Sequence, residues 1–166
     1  MIGAWTRLEE PEYSAVWDAF DERFQFTPTG GRPLPAIRDP KPSTTFDIRG
    51  ISEAVATEVE AAARRAFVAD FGDDVEVLVL DWQHDAYRVR PGTEAPVAVG
   101  ADGFPLVPTV LPDGDYYIHT TPDLENGTFG HPWEPSLCVF GPRLTLSLGE
   151  GLRTLLPVLR EFSGVS

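Results

Sequence analysis

The chain has one cysteine, one methionine and three histidines in 166 residues, and its 13 lysines and arginines number half its 26 acidic residues. Each shortage excludes something. A lone Cys138 cannot close an intramolecular disulfide, which fits a reducing compartment, and its setting in Leu137-Cys-Val-Phe140 makes it a core thiol rather than a nucleophile. A formal charge of −13 opposes nucleic-acid binding, whose affinity comes from lysine and arginine neutralising phosphates. No apolar run reaches the roughly 20 residues that span a bilayer, so no membrane span is expected. The stretch Met1 to Glu10 lacks the basic and apolar regions of a secretion signal. A cytoplasmic protein is expected, and Asn126-Gly-Thr128 then reads as an Asn-Gly turn, not a glycosylation site.

Reaction signatures are also absent. There is no Gly-x-Ser-x-Gly elbow, phosphate loop or Gly-x-Gly-x-x-Gly, so acyl transfer at a serine elbow, nucleotide hydrolysis and dinucleotide redox chemistry each lack their mark. No cofactor is implied.

What is present is a chain rich in rings and breakers. The 10 Phe, 4 Trp and 4 Tyr supply a core, while 16 Pro and 15 Gly predict many turns and long loops. A length of 166 residues fits one domain, 1–166. Tyr13, Val16, Trp17, Phe20 and Phe24 recur at helical spacing behind Pro11, which predicts an amphipathic helix from about Glu10 to Phe24. Residues 25–42 hold too many prolines and glycines for regular structure. Ser43 to Arg49 alternates as a half-buried strand does.

A second helix is predicted over 52–71, capped by Ser52 and stopped by Gly72, with Val55, Val59, Ala62, Ala63, Ala66 and Phe67 on one face and Glu60 paired with Arg64. Val75 to Trp82 is apolar on both faces, which predicts a central strand. A turn at Gln83 to Asp85 leads to a further strand over 86–90. Residues 91–112 read as a second long excursion, and Pro112-Asp-Gly-Asp115 as a turn delivering the strand 116–120. Residues 122–132 read as loop and Ser136 to Phe140 as the last strand. Leu148, Leu152, Leu155, Leu156, Leu159 and Phe162 then predict a closing helix, kinked at Pro157. The sum is an α+β domain of about five mostly antiparallel strands packed against two to three helices.

The polar residues of interest gather in the loops. Asp81 with His84, and His131 with Glu134, would supply two imidazoles and two carboxylates for a metal ion or for acid–base chemistry if the two loops met. Pro132 disfavours a helical His-Glu-x-x-His arrangement, and no cysteine or third histidine matching the motifs completes the set. Alternatively, Trp82, Tyr116, Tyr117 and Trp133 beside Asp81, Asp85, Asp113, Asp115 and Glu134 would form an acidic, ring-lined surface suited to a basic protein. The structural alternatives are turn-capping aspartates, core rings and backbone-bonded imidazoles.

Several phrases together resemble a known bacterial family: Trp17-Asp-Ala-Phe20, Pro42-Ser-Thr-Thr-Phe-Asp47, Leu80-Asp-Trp-Gln-His84, Pro112-Asp-Gly-Asp-Tyr-Tyr-Ile118 and Phe129-Gly-His-Pro-Trp-Glu134 with Cys138-Val-Phe-Gly141. The family is the domain of unknown function numbered twenty-seven sixteen, and the resemblance runs from about residue 5 to residue 141. The residues that match its motifs are Asp81, Trp82, Gln83, His84, Asp113, Asp115, Tyr116, His131, Trp133 and Glu134, whereas His119 stands where the family's strand continues with an apolar or aromatic residue. The resemblance implies no activity. It does imply an association with toxin-immunity neighbourhoods, and so a basic, toxin-like protein as partner of a non-enzymatic, immunity-like binder; a small hydrolase or metal-dependent enzyme is the alternative.

Overall fold

The computed structural model describes residues 3–164. Its centre is one eight-stranded sheet in which all neighbouring strands run antiparallel. The strands are β1 (Ala4–Arg7), β2 (Ser43–Asp47), β3 (Val77–Asp81), β4 (Ala86–Arg90), β5 (Tyr117–Thr120), β6 (Gly127–His131), β7 (Ser136–Phe140) and β8 (Val158–Phe162), in the spatial order β1-β4-β3-β5-β6-β7-β2-β8. The α+β class stands, and the strand number rises from the expected five to eight.

Helices α1 (Glu12–Phe24) and α2 (Glu53–Phe71) cover opposite faces. Alternation along the strands decides which residue meets which helix. Val77, Val79, Tyr87, Val89, Leu137 and Val139 face α2 and its buried Val59, Ala63 and Phe67. Leu78, Leu80, Ala86, Ile118, Phe129, Cys138 and Phe140 face Phe20 and Phe24 of α1. Both cores are apolar, as the run of β3 demands. Helix α2 begins as its sequence dictates, with Ser52 Oγ accepting from Val55 N–H at 3.2 Å, and ends at Gly72 with φ 96°. The Glu60–Arg64 pair does not form: Glu60 instead accepts from the Leu111 N–H (2.9 Å), while Arg64 donates to the Pro91 carbonyl (2.7 Å).

Three expectations are corrected. Residues 122–132 are not all loop, because β6 fills the gap between β5 and β7. Its glycines look like turn signals but serve close approach: a Cβ on Gly127 would lie 2.4 Å from the His119 carbonyl oxygen, and one on Gly130 would lie 2.9 Å from Pro112 Cδ. The closing helix is also absent. A π-helical turn (Thr145–Gly149) and a short α3 (Glu150–Leu152) bury Leu148 and Leu152, then Pro157 ends the helical path and the chain leaves as edge strand β8, with Leu159 42% exposed. Leucine spacing imitated a helix that proline prevents. Strand β2 is buried from Ser43 to Phe46, not half-buried: it lies inside the sheet between β7 and β8, and the π-helical turn packs on it, with Phe46 in one cluster with Leu144, Leu148 and Leu152. The opposite edge is β1, a strand outside the expected set, its Trp5 ring edge-on to Tyr87 at 5.5 Å.

Candidate functional site

Register places three turns at one end of the sheet. Asp81 lies opposite Tyr117, and Tyr117 lies opposite Gly130, so the β3–β4 turn, the approach to β5 and the β6–β7 turn are neighbours. The β3–β4 turn is closed by the His84 N–H bonding to the Asp81 carbonyl at 3.0 Å, with Gln83 at φ 64° absorbing the left-handed bend. Tyr13 of α1 donates its hydroxyl to the His84 carbonyl at 2.8 Å, and the Trp82 N–H reaches the Tyr116 carbonyl at 3.3 Å. Asp115 is oriented by its own strand entry, its Oδ1 accepting from the Tyr116 N–H at 2.8 Å. These restraints bring one imidazole nitrogen between two carboxylates: His84 Nδ1 is 3.1 Å from Asp81 Oδ1 and 3.3 Å from Asp115 Oδ2.

The electrostatics of this cluster follow from its half-burial. Dehydration lifts the Asp81 carboxyl to about 6 against an ordinary 3.8, its closeness to His84 opposing the rise and the Asp115 and Asp85 charges adding to it. Asp115 is raised as well, chiefly by burial. His84, whose side chain is 64% exposed, is raised by its bond to Asp81. Burial and the surrounding aspartates push Tyr117 up to about 12, and its hydroxyl donates to the Asp113 carbonyl at 3.1 Å. Asp113 itself is exposed, and its carboxylate is outside the group of ligand-type atoms formed by Asp81, His84 and Asp115, which lie within 4.8 Å of one another. Those three could hold a divalent ion.

His131 and Glu134 belong to a different arrangement, and the metal or acid–base site built from both histidine loops is corrected accordingly. Both nitrogens of His131 are engaged: Nε2 meets the Leu34 carbonyl at 2.6 Å, and Nδ1 accepts from the Trp133 and Glu134 N–H groups at 3.2 and 3.1 Å. That pattern fixes a neutral ring protonated at Nε2. Burial lowers its pKa in agreement. Glu134 is held below its ordinary pKa against its own burial, first by Arg160, which donates to both carboxylate oxygens at 3.0 Å, and then by Ser136. Neither side chain is available as a ligand.

Between the two arrangements stands Tyr116, fully buried, with ring centroids 5.7 Å from Trp82, 5.0 Å from His131 and 5.1 Å from Trp133. Its hydroxyl accepts from the Thr29 N–H at 3.0 Å and pairs with Thr29 Oγ1 at 2.9 Å, which ties the 25–42 loop over the ring. Tyr116 and His131 therefore lie beneath the surface, while Trp82, Trp133 and Glu134 are half-buried at its border. Tyr13 and Arg160 were missed as members of these arrangements. The first had a signal, since a tyrosine in a stripe otherwise made of Trp, Phe and Val needs a partner for its hydroxyl.

His119 is wholly buried and bonds to the Pro108 carbonyl at 3.1 Å, and its pKa is drawn far down by dehydration. It is a structural imidazole. Burial likewise pushes the Cys138 thiol up to about 12, in keeping with a core residue. Iodoacetamide at pH 8 is expected to leave Cys138 unmodified in the folded protein and to label it fully in 8 M urea, read by intact mass; labelling at comparable rates in both states would refute the buried placement.

An antiparallel α+β domain with helices on both faces and an Asp-His-Asp cluster at one sheet end is thus the class defined by fold and geometry. The chain belongs to the family of proteins of unknown function DUF2716, whose model matches residues 7–145. It is similar to the uncharacterized protein YxiI of Bacillus subtilis (strain 168), 29% identical over 150 residues that cover 84% of this chain and 89% of that one. No solved structure gives a significant match. Among the described residues no helix is long and apolar enough to cross a membrane.

Proposed function

We propose that this protein is a non-enzymatic binding protein whose Asp81–His84–Asp115 end receives a cationic group of a basic, toxin-like protein, in the manner of an immunity protein. The supporting observation is the Asp81 carboxyl at about 6, a group dehydrated and set beside other carboxylates. A lysine or arginine from a partner would relieve that repulsion, and the excess of acid over the chain would speed the encounter. Trp82 and Trp133, half-buried at the border, supply flat apolar contact that slows dissociation. His84 and Asp113 complete an exposed rim.

The test compares the wild-type protein with Asp81→Asn/Asp115→Asn as bait in extract of the native cell at low salt, followed by calorimetry with the purified captured protein. The expected result is a basic protein bound roughly tenfold more weakly by the variant. Its binding to the wild type should tighten between pH 5 and pH 7, as Asp81 loses its proton. Equal capture by both baits, or a partner with no basic surface, would overturn the reading.

A second reading rests on the same atoms. Three oxygen and nitrogen ligands within 4.8 Å are the number that catalytic zinc sites use while keeping one position open, so a metal-dependent hydrolase is the competing function. Stoichiometric Zn2+ binding that disappears in His84→Ala would decide for it.

A further inference from the structure

An apolar cavity is lined by none of the residues of that cluster. About 490 Å³ in volume, it lies between α2, the β1 edge and the 91–112 excursion, with Trp5, Ala61, Pro96, Val97, Pro105 and Val107 in its walls. This size and apolar character fall within the range of small-molecule sites, roughly 300–1,000 Å³. The excursion folds back over it through a bridge between Val99 and Pro105, and leaves Val97, Val99 and Phe104 49%, 55% and 67% exposed. Large apolar side chains held at a surface beside an apolar cavity mark a place where something is bound.

The charged groups in the wall say what kind of thing. Arg65 is engaged by Glu58 at 2.7 Å, and Glu60 accepts from the Leu111 N–H. Arg64 differs. Its Nε donates to the Pro91 carbonyl at 2.7 Å, and among the described residues no carboxylate forms an ion pair with it. In a chain with twice as many acidic as basic residues, a half-buried guanidinium without a carboxylate is a receptor for an anion, because its remaining N–H donors form the fork that carboxylates fit. The overall negative charge does not prevent this, since charges beyond about 8 Å are largely screened at physiological salt. We infer that this cavity binds a small organic acid, with its apolar body against Trp5 and Val107 and its carboxylate on Arg64.

Three probes with one alkyl body separate head-group from tail: octanoate, 1-octanol and octylammonium, each titrated into the wild-type protein by calorimetry and by amide NMR. Octanoate is expected to bind about tenfold more tightly than octanol, the size of one charge-assisted contact, and to shift the amides of Thr57, Ala61 and Ala98. Arg64→Gln, which keeps a donor for Pro91, should bring octanoate to the level of octanol without weakening octanol. Ala61→Phe should fill the cavity and abolish both. Equal affinity for octanoate and octanol, preference for octylammonium, or amide shifts away from the cavity would each overturn the inference, and the wild-type NMR map decides even if a variant fails to fold.

Discussion

Arg160→Ala is expected to lower the free energy of unfolding by about 3 kcal/mol, measured by urea denaturation at pH 7, because it strands a half-buried carboxylate. Arg160 reaches from the edge strand β8 to both oxygens of Glu134 at 3.0 Å and to Asp39 at 3.3 Å, with side-chain exposures of 29%, 13% and 20% respectively. Such geometry differs from a solvated surface pair, which contributes about 0–1 kcal/mol. The guanidinium joins three separate pieces of chain: β8, the β6–β7 turn and the 25–42 loop. Removing it leaves Glu134 facing the burial that would otherwise raise its pKa, and the variant is also expected to lose stability less steeply on acidification once Glu134 protonates more readily. The double variant Arg160→Met/Glu134→Gln should recover at least half of the loss, since Glu134 is no longer an unpaired charge and only the weaker Asp39 contact is then missing. A change within about 0.5 kcal/mol in the single variant, the range of ordinary surface substitutions, would mean that β8 does not dock where the fold places it.

That contact also shows where sequence reading works and where it stops. Both long helices were legible from their periodicity, with which Pro11 agrees for α1 and the Ser52 cap and Gly72 stop agree for α2. The central strand was legible because Val77 to Leu80 is apolar on both sides, which only an interior position explains. Edge strands carry no such mark. β8 exposes Val158 and Leu159 to solvent and draws its order from β2 alongside, so its leucines continued the preceding helical spacing by accident. β6 was hidden for the opposite reason, since Gly127, pressed against the His119–Thr120 backbone, and Gly130, pressed against Val110 and Pro112, erased the strand pattern. Of the site, the meeting of Asp81, His84 and Asp115 follows from two turns whose residues declare themselves, Gln83 and Pro112-Asp-Gly-Asp115. The fate of His131 does not. Its partners are the Leu34 carbonyl and two following amides, and backbone atoms of a distant loop leave no trace in residue identity.

Asp81→Asn is expected to stabilise the protein by about 2 kcal/mol at pH 8 and by almost nothing at pH 4. The folded Asp81 holds its proton up to about pH 6, the unfolded one only to 3.8. Between those values the folded form binds more protons than the unfolded chain, so wild-type stability falls as pH rises through the window and stays lower above it. Each tenfold in proton affinity is worth about 1.4 kcal/mol, which sets the ceiling near 3 kcal/mol, and an asparagine amide that cannot reproduce every contact lowers the gain. His84 acts in the same direction. Its raised pKa contributes stability that is complete below 6.5 and vanishes as pH climbs through its folded value, and the asparagine variant lacks that low-pH contribution. The buried His119 and His131, both lowered, destabilise the fold on acidification in wild type and variant alike, so they cancel in the difference. The measurement is therefore the difference in unfolding free energy between the two proteins at pH 4, 5, 6, 7 and 8: a rise through pH 4–6 that continues above 6.5 as His84 deprotonates is expected, and a flat difference would place Asp81 in ordinary water. A stabilised variant that also loses binding to the proposed basic partner would show that the carboxylate is kept against the interest of stability, as residues selected for recognition are.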